Sequence, residues 1–207
     1  MSAASLPVDL QTSAPSGELR VSGNVSAQGF QIDGPLLLTV RRFGDHRGFF
    51  METYNRPDFV AVGVADVFVQ DNHSLSAAVG TLRGMHFQLA PRAQAKLVRV
   101  IRGAILDIVV DIRRNSPSFG RHVAVRLSDG GGEQFYVPHG FAHGFVTLTP
   151  DAEVAYKVSD TYAPEQDRGI AWDDPDLALP WPDLPVPVTL SDKDRRHPRL
   201  RDLPAAF

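Results

Sequence analysis

The sequence predicts an all-β domain in which short strands form a jelly-roll barrel, with only short peripheral helices. Two observations support this fold class. From Val67 onward, short runs rich in β-branched residues recur and are bounded by glycine and proline. Where these runs alternate apolar and polar residues, the period is that of a strand and not of a helix. Regularly spaced short strands are typical of β-sandwiches and barrels.

The N-terminal part differs in amino-acid composition from the rest of the chain. Residues 1–30 are rich in Ser, Ala, Gly and Val, which predicts a flexible extension with one short strand near Leu19–Val25. The jelly-roll domain is predicted over 31–207. Its first helix is expected over Pro57–Val64, with Asn55 or a neighbour as the N-cap.

The barrel is predicted from a series of strands and turns. The strands are Leu36–Val40, Leu82–Gln88, Leu97–Val100, Ala104–Ile112, Val123–Leu127, Gln134–Val137, Gly144–Leu148 and Val154–Ser159. Residues 128–132 read as a hairpin tip, because no Gly-Lys-Ser/Thr follows that would make them a phosphate loop. From Asp173 the chain is rich in Pro and Asp, and we expect this tail to wrap the barrel with one short helical turn.

The composition excludes several classes of function. The net charge of -3 over 207 residues argues against a nucleic-acid or anionic-membrane surface. The chain has no cysteine, which excludes disulfides, thiolate metal sites and cysteine nucleophiles. No secretory signal and no membrane-spanning apolar run is evident. A cytoplasmic protein is therefore expected.

The segment Leu82–Gln88 places Arg, His and Gln within one strand-like run. Strict alternation would put His86 and Gln88 on one face, and Arg83 on the other. A histidine in this setting is either a satisfied core residue or a proton carrier at a pocket floor, and the segment alone favours the core residue. The polar pair Tyr156-Lys157 and the segment Leu190–Asp194 favour the proton carrier.

Several segments, taken in order, resemble one family: the dTDP-4-dehydrorhamnose 3,5-epimerases and their deoxysugar relatives. They are Phe43–Glu52, Val69–Ser74, Leu82–Gln88, Lys96–Arg99, Ser116–Gly120, Val137–Phe145, Ala155–Lys157, Asp160–Pro164, Trp172–Pro175 and Leu190–Asp194. The resemblance covers about residues 35–195 and implies a cupin-like double-stranded β-helix. It also implies a substrate, a dTDP-linked 4-keto-6-deoxyhexose.

The implied reaction inverts C3 and C5 of that sugar. The 4-ketone acidifies the hydrogens on both carbons, because each carbanion delocalises onto the oxygen as an enolate. Epimerisation then needs a base on one face of the ring, an acid on the other and a group that holds the enolate. The resemblance implies no metal and no redox cofactor.

The resemblance implies four catalytic residues. His86 matches the family's base, and an imidazole with a pKa of about 6.5 suits that task. Asp194 matches its carboxylate partner, which fixes the tautomer and stabilises the imidazolium. Tyr156 matches the acid. Lys96 matches a residue associated with the enolate oxygen or the adjacent phosphate.

The resemblance also implies substrate-binding residues. Arg47 and Arg83 match the cations on the pyrophosphate, because guanidinium groups bind two oxygens at once. The remaining matches serve the base and sugar: Phe43, Phe50 and Tyr162 as apolar faces, Glu52, Gln70 and Asn72 as polar readers, and His143 as a pocket residue near the sugar or phosphate. In the family some of these come from a neighbouring subunit, which implies a homodimer with exchanged N-terminal strands.

Three alternatives remain open at the level of sequence. The first is a C3-only epimerase of a specialised deoxysugar pathway, and His139, where relatives usually carry Glu, leaves the choice of carbon open. The second is a metal-dependent cupin, which the lack of a His-x-His pattern disfavours. The third is a non-catalytic nucleotide-sugar-binding barrel, which would have no need of His86, Tyr156 and Asp194 together.

Overall fold

The computed structural model of the chain describes residues 9–204, 206 and 207. These residues form two antiparallel sheets, a separate hairpin and one α-helix, which confirms the all-β prediction. The strands are β1 Ser16–Ser22, β2 Val25–Gly29, β3 Leu36–Val40, β4 Arg42–Asp45, β5 Gly48–Met51, β6 Gln70–Ser76, β7 Leu82–Gln88, β8 Lys96–Arg102, β9 Ala104–Asp111, β10 His122–Ser128, β11 Glu133–Val137, β12 Phe141–Thr147, β13 Ala152–Val158 and β14 Asp167–Gly169. The helix α1 spans Arg56–Ala61.

The larger sheet has seven strands in the order β1-β2-β3-β11-β8-β13-β6. Its inner face contributes Val98, Phe135 and Val154 to a core shared with the second sheet. Its outer face packs against α1 through Phe59 and Leu97. Asn55 caps α1 by accepting a hydrogen bond from the Asp58 N–H, as predicted, although the helix ends earlier than expected.

The second sheet has five strands in the order β10-β9-β12-β7-β14. Strand β9 is buried along its whole length, because one face meets the larger sheet and the other is covered by the C-terminal tail, residues 173–207. Trp181, Leu190 and Leu203 of this tail pack on that covered face. The tail contains two single 3-10 turns, Asp194–Arg196 and Leu200–Asp202, where one short helical turn was expected.

Two predictions about connections and ends are corrected. Residues 16–29 form strands β1 and β2 at the edge of the seven-stranded sheet, and β2 pairs with β3. They are therefore part of the barrel and not of a flexible extension, because their backbone groups are satisfied by the sheet. The part of the predicted extension before residue 9 lies outside the described residues. Residues 128–132 join β10 to β11 across the two sheets and do not form a hairpin tip.

Strand β7 carries an extra residue relative to its neighbour β12. His143 pairs with His86 and Phe145 pairs with Arg83, so two steps along β12 correspond to three along β7. Such a bulge reverses the alternation of side chains beyond it. The predicted opposition of Arg83 and His86 is therefore wrong: both line the same cavity, while Leu82 joins Met85 in the core under the tail.

Gly84 makes this bulge possible. Its φ of +135° lies in the region that favours glycine, and an added Cβ would lie 2.5 Å from Gly144 Cα and 2.9 Å from the His143 carbonyl oxygen. Both neighbours are backbone atoms of the adjacent strand and have little room to move.

We expect Gly84→Ala to destabilise the protein by about 1–3 kcal/mol, the usual cost of overpacking, with additional backbone strain. The measurement is urea unfolding. Gly130→Ala is the matched control, because an added Cβ there meets no atom within 4 Å. Equal unfolding midpoints for the two variants would contradict the role given to Gly84.

Candidate active site

A cavity of about 510 Å³ lies between the two sheets and is bounded by the tail. Its walls bring together six of the residues predicted from sequence: Arg83, His86, Lys96, His143, Tyr156 and Asp194. A neighbouring cavity of about 210 Å³ shares His86, Lys96 and Tyr156 with the first, and adds Gln70, Asn72 and Tyr162. The two cavities therefore form one site with two compartments.

His86 and Asp194 meet although they are far apart in sequence. His86 Nε2 lies 2.7 Å from Asp194 Oδ1, a hydrogen-bond distance. An ionised carboxylate only accepts, so Nε2 carries the proton and Nδ1 keeps a free lone pair. Asp194 is held in turn by the tail, because its own N–H donates to Ser191 Oγ at 3.1 Å. Its side chain is only 5% exposed.

Burial and charge act in opposite directions on this pair. Burial of the His86 ring lowers its pKa, the Asp194 carboxylate raises it, and the ammonium groups of Lys96 and Lys193 lower it again. The net pKa is below the ordinary value, so the imidazole is neutral and able to accept a proton at neutral pH. Burial alone would raise the pKa of Asp194, but the His197 and His86 rings beside the carboxylate lower it below its usual range.

Lys96 lies at the floor shared by both compartments. Its ammonium group donates to the His86 carbonyl oxygen at 3.4 Å, and the residue is buried. Burial lowers its pKa to about 8, against the opposing effects of Asp107 and Asp167. Lys96 is therefore a cation in a weakly hydrated position, where it acts strongly on a negative charge.

Tyr156 faces His86 from the opposite wall. It lies on β13 of the seven-stranded sheet, its ring packs against the core between the sheets, and it lines both compartments. Burial raises the pKa of its phenol, and Arg83 partly offsets this shift. The hydroxyl is therefore protonated at neutral pH and can donate its proton.

His143 has a buried acidic neighbour that the sequence did not single out as functional. His143 Nε2 lies 2.8 Å from Asp107 Oδ1, and both side chains are almost fully buried. The approach angle is not that of a hydrogen bond, and within the described residues neither group has another partner. The pair is therefore a close polar contact and not a hydrogen bond. The signal for Asp107 was a charged residue inside the long apolar run of β9.

Polar side chains form the rim of the smaller compartment. Gln70 donates to Asn72 at 2.8 Å and accepts from the Tyr162 N–H at 3.2 Å. The Tyr162 hydroxyl donates to Asp167 at 3.0 Å, and Lys193 forms an ion pair with the same carboxylate. Asp167 and Lys193 were not predicted as site residues, although Lys193 directly precedes Asp194. This network joins the tail to the loop after β13.

Arg83 bridges the two sheets at the edge of the larger compartment. Its guanidinium donates to Ser76 Oγ at 3.1 Å and to the Leu75 carbonyl oxygen at 3.2 Å. Both acceptors belong to β6, the edge strand of the seven-stranded sheet. The guanidinium is thereby fixed in place while the residue remains exposed to incoming ligand.

Four of the predicted binding residues do not line either compartment: Phe43, Arg47, Phe50 and Glu52. The first three lie on the β4–β5 hairpin, where the Phe50 residue is 68% and the Arg47 side chain 78% exposed. Arg47 pairs with Asp45 of the same hairpin, and Glu52 accepts from Asn55 at 3.0 Å. In a single chain they are therefore separate from the cavity.

His139 also lies outside both compartments. Its ring contacts Ser159 Oγ at 3.0 Å and lies 3.9 Å from Asp66. The exchange of the usual Glu for His139 therefore changes a contact between loops and does not alter the wall of the site.

His86, Asp194 and His197 place three possible metal-ligand atoms within 4.8 Å of one another. The His86–Asp194 distance of 2.7 Å is that of a hydrogen bond, which accounts for the approach of these two groups without an ion.

No helix in the described part of the chain is long and apolar enough to span a membrane.

Comparison with known proteins identifies the family. A family model described as dTDP-4-dehydrorhamnose 3,5-epimerase matches residues 29–202. The chain is 51% identical over 172 residues to the dTDP-4-dehydrorhamnose 3,5-epimerase of Sinorhizobium fredii, which covers 83% of this chain and 87% of that relative. The chain belongs to the dTDP-4-dehydrorhamnose 3,5-epimerase family.

Solved structures of similar proteins agree with the fold. The dTDP-6-deoxy-D-glucose-3,5-epimerase of Legionella pneumophila, in complex with dTDP-4-keto-L-rhamnose, matches with a TM-score of 0.83 and 42% identity over 87% of this chain and 95% of that one. A 3'-monoepimerase from Streptomyces bikiniensis, in complex with dTDP-quinovose, matches with a TM-score of 0.75 and 34% identity over 83% and 86%. The predicted family, cupin-like jelly roll and isomerase class are confirmed.

We expect Asp194→Asn to lower the pKa of His86 further, because it removes the charge that raises this pKa while burial and the nearby ammonium groups remain. NMR titration of the His86 ring measures it. Asp71→Asn, a change at an exposed carboxylate of β6, should leave this pKa unchanged. A higher pKa in Asp194→Asn would show that Asp194 does not stabilise the imidazolium.

Proposed function

We propose that this enzyme inverts C3 and C5 of a dTDP-linked 4-keto-6-deoxyglucose, as in the formation of dTDP-linked L-rhamnose precursors. The observation that supports this most directly is the placement of His86 and Tyr156 on opposing sheets, facing one cavity. Packed sheets lie about 10 Å apart, which leaves room for one sugar ring between them. A base and an acid then act on opposite faces of the same ring.

In this proposal His86 removes the proton next to the ketone. Its free Nδ1 lone pair accepts the proton, and Asp194 stabilises the imidazolium that forms. Tyr156 then donates its phenolic proton to the other face of the carbon. A buried phenol is a weak acid, but an enolate is a strong enough base to take its proton.

The charges that develop on the substrate need cations. We assign Lys96 to the enolate oxygen or the nearby phosphate, because a desolvated ammonium stabilises a developing oxyanion without reorganisation. Arg83 is assigned to the pyrophosphate at the edge of the larger compartment. His143 is assigned to the sugar or phosphate, with Asp107 behind it.

The nucleotide would bind between the rim of the smaller compartment and the β4–β5 hairpin of a second subunit. Gln70, Asn72 and Tyr162 line the smaller compartment and are assigned to the base and sugar. The exposed Phe43, Arg47, Phe50 and Glu52 would complete the site of a neighbouring copy, in a homodimer with exchanged N-terminal strands. Their absence from the cavity of their own chain and their exposed aromatic rings favour this arrangement.

We further propose that residues 31–207 are the epimerase domain with its wrapping tail, joined at its edge by strands β1 and β2. The substrate is a charged diphosphate that does not cross a bilayer unaided. We therefore place the enzyme in the cytoplasm, where it needs neither nucleic acid nor membrane as a partner.

C3-only epimerisation is the second candidate. It is favoured by the structural similarity to a 3'-monoepimerase, although that protein is less similar in sequence than the 3,5-epimerases. Both reactions use the same base and acid. They differ in how long the intermediate stays and how freely the ring can flip.

NMR of the dTDP-linked 4-keto-6-deoxyglucose incubated with the enzyme in D2O distinguishes these candidates. We expect deuterium at both C3 and C5, with EDTA having no effect on the rate. Deuterium at C3 alone would establish the monoepimerase. No incorporation at either carbon would contradict the proposed substrate, and inactivation by EDTA would indicate a catalytic metal.

Substitutions separate the two proton transfers. His86→Asn is expected to lower kcat by about 10²–10⁴, with dTDP affinity unchanged, because it removes the base and leaves the walls in place. Tyr156→Phe should lose turnover but retain some exchange of substrate hydrogen with solvent, because deprotonation comes first.

Tyr54→Phe is the matched control, since Tyr54 packs with Phe59 and Phe68 outside the site. Equal loss of binding and turnover in His86→Asn would make His86 a structural residue. A complete lack of exchange in Tyr156→Phe would remove Tyr156 from the acid role.

Mixed dimers test the exchanged hairpin. A chain with His86→Asn is co-expressed with a second chain that carries Arg47→Ala and Phe50→Ala. In each mixed dimer, one of the two sites then combines an intact base from one chain with an intact hairpin from the other. Random pairing then restores about one quarter of the native activity. No activity above that of the two separate variants would show that the hairpin serves its own chain or no site.

A further inference from the structure

The His86–Asp194 pair has a third neighbour three residues further along the tail. His197 Nε2 lies 3.6 Å from Asp194 Oδ1, the oxygen that also meets His86. The rings of His197 and His86 meet edge to face, with centroids 5.5 Å apart and an interplanar angle of 79°. We propose that His197 is a positioning residue, which competes with His86 for the shared Asp194 oxygen and so limits how strongly Asp194 retains the His86 proton.

The backbone around His197 is built to receive its ring. A Cβ at Gly169 would lie 2.4–2.6 Å from three atoms of that ring, so the ring fills the space of the missing side chain. Gly169 pairs directly with His86 across β14 and β7. The Ala171 N–H donates to the Pro198 carbonyl oxygen at 2.8 Å and fixes the following turn. The strand pair that presents His86 therefore also fixes His197.

His197 acts through Asp194 and not on substrate. It lines neither compartment, and its side chain is only 10% exposed. Across the described part of the chain, its Nε2 is buried without a well-aligned hydrogen-bond partner, and Asp194 is its ion-pair neighbour. A buried polar nitrogen is costly unless it is paired, which favours closer approach to this carboxylate.

The direction of the effect follows from the charges around the base. The titratable groups that face His86 are Asp194, Lys193 and His197 from the tail, Asp167 from β14, Lys96 from β8, His143 from β12, Tyr156 from β13 and Tyr162 from the loop after it, with Arg83 on its own strand. An N–H on His197 Nε2, 3.6 Å from Asp194 Oδ1, stabilises the negative charge of Asp194, and a proton on His197 would repel one on His86. Either effect lowers the pKa of His86. Loss of His197 should therefore raise that pKa and leave less neutral base at a given pH.

The test compares His197→Leu, which removes the donor, with His197→Gln, which keeps an N–H near the position of Nε2. In His197→Leu we expect the acid limb of kcat/KM to move to higher pH by about half a unit or more, and kcat to fall at unchanged KM. His197→Gln should recover most of kcat. His122→Leu, at a histidine of β10 outside both compartments, should change none of these quantities.

Two outcomes would overturn the proposal. One is an unmoved acid limb in His197→Leu. The other is an equal fall of kcat in the Leu and Gln variants together with an equal fall in Tm, which would make His197 a packing residue only. If His197→Leu does not fold, two NMR measurements decide. The pKa of His86 is compared between His197→Gln and the native protein. The His197 ring resonances are compared between Asp194→Asn and the native protein, and they must shift.

The inference rests on the proposed role of His86 as the base, and the NMR titration separates the two. The pKa of His86 in the His197 variants is read without any substrate. If that pKa shifts but His86→Asn keeps full turnover, the effect of His197 on His86 is supported, and the proposed role of His86 as the base is contradicted.

Discussion

One hydrogen bond, between His86 and Asp194, determines how this molecule must be built. The two residues are 108 positions apart, and the bond between them is 2.7 Å long. To bring them together, the tail must cross the covered face of the five-stranded sheet, and there its apolar residues bury the outer side of β7 and β9. The apolar contacts that stabilise the tail on the barrel are therefore the same ones that bring the carboxylate to the proposed base. Packing and the geometry of the site depend on a single path of the chain.

The two-sheet architecture explains how the proposed acid and base are kept apart. His86 and Tyr156 project from different sheets, and their separation is fixed by the core residues that hold the sheets together. Neither residue sits on a mobile connection: both lie within strands whose backbone groups are paired on each side. Two buried polar groups have compensating neighbours: Lys96 lines a cavity where a ligand's negative charge can pair with it, and Asp107 lies against His143.

Much of this was predictable from the sequence, and the failures have a common cause. Alternation of apolar residues identified the strands, and the resemblance named His86, Tyr156 and Asp194 correctly as neighbours. Alternation failed at Arg83, because a one-residue bulge cannot be seen from composition and moves every side chain beyond it to the other face. Asp107 and His197 were missed because their significance lies in what the fold places beside them. The strands in residues 16–29 escape prediction because β1 is a largely exposed edge strand and β2 buries only Val25 and Ala27, so neither shows a strong apolar alternation.

The long sequence separation of the two paired residues also makes activity a measure of complete folding. A chain that has formed its hairpins but not docked its tail has a histidine without a counter-charge, and that histidine is a poorer base. The complete site forms only when the strands and the tail that surround the cavity are in place. Turnover therefore measures the concentration of fully folded molecules.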